Sequence, residues 1–139
     1  MEIANTDEQI MACFDVMKQL RLNLKKESWL ATIRDMQGEG YVLAYLTRDD
    51  VVVAVAGYYI CNKLSVNGKS LYVYDLSTDE RFRSMGLGKR LIEDLKDHAR
   101  SRDCESIELD SGVQRFGAHR FYLREGFRIA SHHFACTLK

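Results

Sequence analysis

The sequence contains no proline. No position is therefore barred from a helix or a sheet ladder by a missing N–H, and glycine has to mark the boundaries. Charge of one sign is not in excess: 20 Lys and Arg balance 20 Asp and Glu, for a formal net charge of zero. No global field draws the chain to nucleic acid or to an anionic membrane, so any anion site must be local. No apolar run approaches the roughly 18 residues of a membrane span. The opening residues, Met1 to Ile10, are acidic and mixed, unlike a signal peptide. The four cysteines, Cys13, Cys61, Cys104 and Cys136, lack C-x-x-C spacing, and isolated buried thiols are expected rather than zinc or disulfides. No metal, no nucleic acid, no membrane partner and a cytoplasmic location are the resulting expectations.

With 139 residues, 46% of them apolar, the chain fits a single domain spanning residues 1–139. Thr6 is placed to cap a helix carrying Ile10, Phe14, Met17 and Leu20. Ser28 is placed to cap a second, with Leu30, Ile33 and Met36, that stops at Gly38-Glu39-Gly40. The period then changes. YVLAYL (41–46), VVVAVAGYYI (51–60) and LYVYDLST (71–78) are β-branched and aromatic, and the turn-like TRDD and SVNGKS separate them. Asn67-Gly68 is a hairpin signal, and three antiparallel strands are expected. Leu87, Leu91, Leu95 and Ala99 mark a later helix. SIEL (106–109) follows as a strand, then a helix over 115–125 that Gly126 ends. FRIA (127–130) and HFACTL (133–138) close the chain as strands. The expected fold is α/β: a mixed, mostly antiparallel sheet with a parallel pair around a crossover helix, flanked by about four helices.

The segment RFRSMGLGKRL (81–91) holds Arg81, Arg83, Lys89 and Arg90 around Gly86 and Gly88. It lies between a strand and a helix. Unpaired N–H groups and partial positive charge at a helix start favour an anion, and glycine lets it approach. A tight turn capped by Ser84, with solvated cations, fits the same residues. Spacing excludes two other phosphate loops. Arg83 and Arg90 stand where a P-loop needs glycine and Ser or Thr, and Leu91 stands where a dinucleotide fingerprint needs its third glycine.

Arg83-x-x-Gly86-x-Gly88 resembles the acetyl-CoA loop of the GNAT superfamily of N-acetyltransferases, and YDLSTDERFRSMGLGKRLI is similar to that family's run of strand, loop and helix. AHRFYLREGF, with Ala118, Tyr122, Gly126 and Phe127, resembles its Ala-x-x-x-Tyr-x-x-x-Gly-Phe segment. The resemblance covers most of residues 41–139. It departs at Ser84, often glycine in the family, and at Arg115, where the family has asparagine.

The resemblance implies acetyl transfer from acetyl-CoA to an amine in a domain with a splayed parallel strand pair. It implies pantetheine pairing with backbone of Leu76, Ser77 and Thr78. It also implies pyrophosphate on the N–H groups of Arg83, Ser84, Met85, Gly86, Leu87, Gly88 and Lys89, with Gln114 or Arg115 standing in for the family's asparagine near the cofactor. Tyr122 is the implied proton donor to the leaving thiolate. Asp75, a carboxylate within an apolar strand, is the candidate base, with Glu80 a weaker alternative, and the N–H near Leu76 is a candidate oxyanion donor. A non-catalytic acyl-CoA-binding or sensing module of the same fold is the competing function. Trp29, Leu30 and Ile33 are expected in the core, His119 facing water, and Arg21, Lys25 and Lys26 solvated. His132 and His133 point to opposite faces of a strand. Cys104, in a polar turn, has no evident base. The amine acceptor is not legible, and a homodimer stays open.

Overall fold

The computed structural model describes all 139 residues. Two compact units divide it, Met1–Leu109 and Asp110–Lys139.

The first unit carries β1 (Glu2–Ile3), α1 (Asp7–Ala12), α2 (Phe14–Leu20), α3 (Lys26–Gly38), β2 (Val42–Arg48), β3 (Val51–Lys63), β4 (Gly68–Thr78), α4 (Leu87–Ser101) and β5 (Cys104–Leu109). Short 3₁₀ turns stand at Leu64–Val66 and Glu80–Phe82. The sheet order is β1-β2-β3-β4-β5, with every pair antiparallel except β4–β5. The α4 crossover makes that last pair parallel, as expected.

Two helical layers cover the sheet. Leu43, Tyr45 and Val55 join Ile10, Phe14, Met17, Trp29 and Ile33 in one core on the face of α1–α3. Tyr58 faces the other way, where its ring meets His98 of α4 at 5.6 Å. Leu91, Ile92 and Leu95 of α4 are fully buried, and each contributes about 1.5–3 kcal/mol. That outweighs the ~1 kcal/mol that Gly88 costs in the first turn of the same helix. No helix is long and apolar enough to cross a membrane.

Thr6 caps α1 as expected, in a reciprocal box with Gln9. The helix expected to continue through Phe14 breaks at Cys13. The Ile10 carbonyl accepts from the Cys13 N–H and from the Trp29 indole at 2.8 Å, so it is withheld from a regular ladder. Ser28 is not a cap. α3 begins two residues earlier, behind an extended Lys25, and the Ser28 hydroxyl donates to the Lys25 carbonyl. TRDD makes a two-residue hairpin with Asp49 and Asp50 both left-handed (φ 51° and 63°), the geometry of a type I′ turn. Asn67 is left-handed as well, at the end of a four-residue connection rather than a two-residue one.

The second unit holds α5 (Phe116–Arg124). Gly126 ends it at φ 90°: its N–H bonds the Leu123 carbonyl and the Phe127 N–H bonds that of Tyr122, a Schellman arrangement. The closing strands expected at 127–130 and 133–138 are absent. Alternating side chains make a strand only where a neighbour completes the ladder. Here Ile129, Phe134 and Leu138 are exposed. His132 and His133 accordingly lie in irregular chain, and His133 pairs with Asp110 at 3.3 Å. The break at Cys13 divides the first expected helix in two, so five helices flank the sheet where about four are expected.

Candidate active site

β4 changes character half-way along. Its parallel register with β5 ends at Val73↔Leu109, so from Tyr74 to Thr78 it pairs only with β3. One edge of Leu76, Ser77 and Thr78 thus has no strand partner within the sheet. The antiparallel register with β3 also slips there: Tyr58 opposes Val73 and Gly57 opposes Asp75, leaving Tyr74 as the extra residue. Strict alternation would keep Asp75 on the face of Leu71 and Val73. The bulge turns it to the face of α1–α3.

There Asp75 is nearly enclosed, with 14% of its side chain exposed. Its Oδ2 accepts from the Tyr41 hydroxyl at 2.7 Å, and its Oδ1 accepts from Arg21 Nε at 2.9 Å. Arg21 Nη2 donates to the Tyr74 carbonyl. Arg21 is solvated, as expected, with 49% of its side chain exposed, and it is paired as well. Burial and the adjacent carboxylate push the Tyr41 phenol well above its ordinary range, so it stays a donor. Gly57 makes this possible, because a Cβ there would stand 1.6 Å from the Tyr41 hydroxyl.

Beside Asp75 opens a cavity of about 240 Å³ between α2, α3 and the sheet, with Met17, Trp29, Ile33 and Met36 among its walls. Trp29 and Ile33 are core residues, as expected, and line this cavity too. Ser77 leans on α2 through a hydrogen bond to the Val16 carbonyl.

Past Thr78 the chain is anchored by Asp79, a residue sequence reasoning passed over. Its carboxylate is buried and accepts from the backbone N–H and the guanidinium of Arg81, at 2.6 Å for Nη2. These bonds hold the Asp79 carboxyl down at about 2. Arg81 is thereby committed, and Lys89 also has a partner, pairing with Glu93 at 4.0 Å. Ser84 and Gly86 are both left-handed (φ 65° and 75°). α4 starts at Leu87 behind Gly86, and no side chain caps it, so Ser84 is not the cap. Space around Gly86 is open, with nothing within 4 Å of an added Cβ. Lys89 and Arg83 stand at the same helix start. Met85 Sδ accepts from Arg48 at 3.3 Å. Ser84 and Gly86, left-handed on either side of Met85, lead into an uncapped helix, a backbone of the kind that suits an anion.

Tyr122 and Arg115 belong to the second unit. Tyr122 lies on α5, edge-on to Phe127 at 5.7 Å and tilted against Phe121 at 5.3 Å. Burial raises its phenol. Arg115 is the residue at which α5 begins. His119 bonds the Gly112 carbonyl at 2.7 Å instead of simply facing water. Of the thiols only Cys13 is buried, pushed up to about 12, while Cys61 and Cys136 are exposed. Cys104 begins β5 rather than sitting in a turn.

A family model described as Acetyltransferase (GNAT) family matches residues 7–127. The chain is 33% identical over 137 residues to the uncharacterized N-acetyltransferase YhdJ of Bacillus subtilis strain 168, covering 96% of this chain and 95% of that one. An acetyltransferase of Trypanosoma brucei superposes with a TM-score of 0.80 at 26% identity, over 99% of this chain and 97% of the other. An aminoglycoside N-acetyltransferase solved in complex with CoA shares the fold at a TM-score of 0.84 and 17% identity, over 98% and 91%.

Proposed function

The chain belongs to the acetyltransferase (GNAT) family and is an N-acetyltransferase, and we propose that it moves an acetyl group from acetyl-CoA to a primary amine by direct attack in a ternary complex. The observation that carries this reading is the free edge of β4 from Tyr74 to Thr78, continuous with the left-handed turn at Ser84 and Gly86. A flexible amide-bearing arm can add to such an edge as an extra strand. The pyrophosphate goes to the N–H groups from Arg83 to Lys89. The fold relative with CoA bound supports the same donor, and Arg115 is proposed near it.

The chemistry balances without a covalent enzyme intermediate. The neutral amine nitrogen attacks the thioester carbonyl carbon and forms the C–N bond. The resulting oxyanion takes the strand N–H near Leu76. Its collapse breaks the C–S bond, and the CoA thiolate accepts the proton of Tyr122. The amine gives up its proton to Asp75, directly or through water. The products are the amide and CoA thiol, and the proton on Asp75 returns through water to the Tyr122 phenolate, which restores the enzyme. The same reading takes residues 1–139 as one acetyltransferase domain, since the family model runs through both compact units.

Initial-rate kinetics across both substrates test it. Intersecting lines, with CoA release equal to amide formed, are expected. A burst of CoA thiol without any amine would replace direct attack by an acyl-enzyme. Acetyl-CoA binding with no release for any amine would leave the non-catalytic module.

A further inference from the structure

The cavity beside Asp75 restricts what can enter it, and we infer that it takes a compact primary amine with an apolar carbon body and no second charge. This rests on the acetyl-transfer reading for its chemistry but on the cavity alone for its selectivity. The walls are Met17, Leu24, Trp29, Ile33 and Met36. Only two lining residues are charged, Arg21 and Asp75, and they neutralise each other at 2.9 Å. Asn23, Thr32 and Tyr41, whose hydroxyl is given to Asp75, supply the remaining polarity, and all three are neutral.

Each class of doubly charged amine then meets a specific obstacle. A phosphorylated amine needs several donors for its dianion. Arg21 Nε and Nη2 already donate to Asp75 and to the Tyr74 carbonyl, which leaves chiefly Nη1 where a dianion needs several donors, and the Lys18 ammonium is turned to the carbonyls of Leu22 and Leu24. A polyamine brings a distal ammonium that would lie against methionine, leucine and indole, where an unpaired charge is strongly disfavoured. A single amine meets neither obstacle. Asp75 carries one donor on each oxygen, and a carboxylate oxygen has room for a second. The volume of about 240 Å³ is below the range of drug-sized pockets, so the apolar body is short.

Trp29 is the single tryptophan of the chain and lines the cavity, so its emission reports occupancy without acetyl-CoA or turnover. Titration of the whole protein with phenethylamine and with hexylamine is expected to change that emission saturably, at concentrations about tenfold or more below those needed for spermidine or glucosamine 6-phosphate. The order of kcat/KM in the acetylation assay is expected to follow. Thr32, exposed on α3 at the cavity, allows a second test. Thr32→Phe narrows the cavity and is expected to raise KM for phenethylamine more than for hexylamine while kcat holds.

Tighter response to spermidine, glucosamine 6-phosphate or a peptide with a free apolar N-terminus overturns the inference and leaves acetyl transfer standing. So does emission that no amine alters, or a Thr32→Phe protein, folded by circular dichroism, with unchanged KM values. Saturable binding of the two simple amines with no CoA release overturns the proposed reaction and leaves the selectivity of the cavity intact.

Discussion

The Tyr41 hydroxyl donates to Oδ2 of Asp75 across 2.7 Å, through space that exists because residue 57 has no side chain. Gly57 faces Asp75 in the β3–β4 register, so the smallest residue on one strand seats a ring that orients the carboxylate on the next.

Gly57→Ala is therefore expected to displace Tyr41, whose hydroxyl oxygen lies 1.6 Å from the position of the new Cβ. Overpacking of this kind costs about 1–3 kcal/mol, readable as a lower urea midpoint with the slope unchanged. Because both changes act on one contact, Gly57→Ala with Tyr41→Ala should lose less than the sum of the singles. Strict additivity would mean the ring moves aside freely.

Asp79 predicts an acid limb. Its carboxyl is held at about 2 against an ordinary 3.8, so the folded state binds its proton less readily than the unfolded chain. That contribution is fully present above pH 3.8 and is lost as pH falls from there towards 2. Its size is about 2 kcal/mol. Arg81→Gln removes the principal hydrogen-bond partner and lets the folded value rise towards 3.8, so this component of acid unfolding, followed by circular dichroism, should shrink. An unmoved limb would assign acid sensitivity to other carboxyls.

The Tyr122 phenol is raised by burial, so it keeps its proton through neutral pH and has one to give. Tyr122→Phe retains the ring contacts with Phe121 and Phe127. It should lower kcat by about 10²–10⁴ while leaving the melting temperature and the acetyl-CoA KM nearly unchanged. Undiminished kcat at saturating amine would end its role as proton donor. Asp75→Asn should lower kcat/KM while leaving the acetyl-CoA KM nearly unchanged, and an undiminished kcat/KM would exclude Asp75 as base.

Gly86 stands at φ 75° with nothing within 4 Å of an added Cβ. A Cβ added at Gly86 thus meets no clash in the protein itself, and the stability cost of Gly86→Val is expected to come chiefly from its backbone, about 1–2 kcal/mol. A pyrophosphate seated on the neighbouring N–H groups would meet the new methyls. The acetyl-CoA KM is expected to rise at least tenfold (about 1.4 kcal/mol in binding), measured beside the melting temperature. A fall in stability with unchanged KM would make the glycine a turn residue only.

What was legible in the sequence followed local periodicity and capping. The amphipathic face of α4, the Thr6 box, the three long strands and the glycine that ends α5 depend on near neighbours, and each is present. What was hidden depended on distance or on a break in period. The bulge at Tyr74 reverses the face of Asp75, so alternation along LYVYDLST could not reveal that Tyr41 and Arg21 converge on it. The indole of Trp29 reaches back to Ile10 and divides a helix whose own residues give no sign of a break. Arg81 looked like part of a cationic loop, and only burial of its neighbour Asp79 shows where its charge is spent. The closing strands failed for the opposite reason, since a correct alternation with no ladder partner is not a strand.

β4 leaves β5 after Val73 yet keeps its ladder to β3 through Thr78. Its outward N–H and C=O groups are thus held in fixed directions before any ligand arrives. A partner that docks along them finds the backbone entropy of ordering, about 1–2 kcal/mol per residue, already settled by folding. Association at this edge should accordingly draw on little conformational change in the strand, and hydrogen exchange there should slow through local shielding while the rest of β4 stays as protected as before.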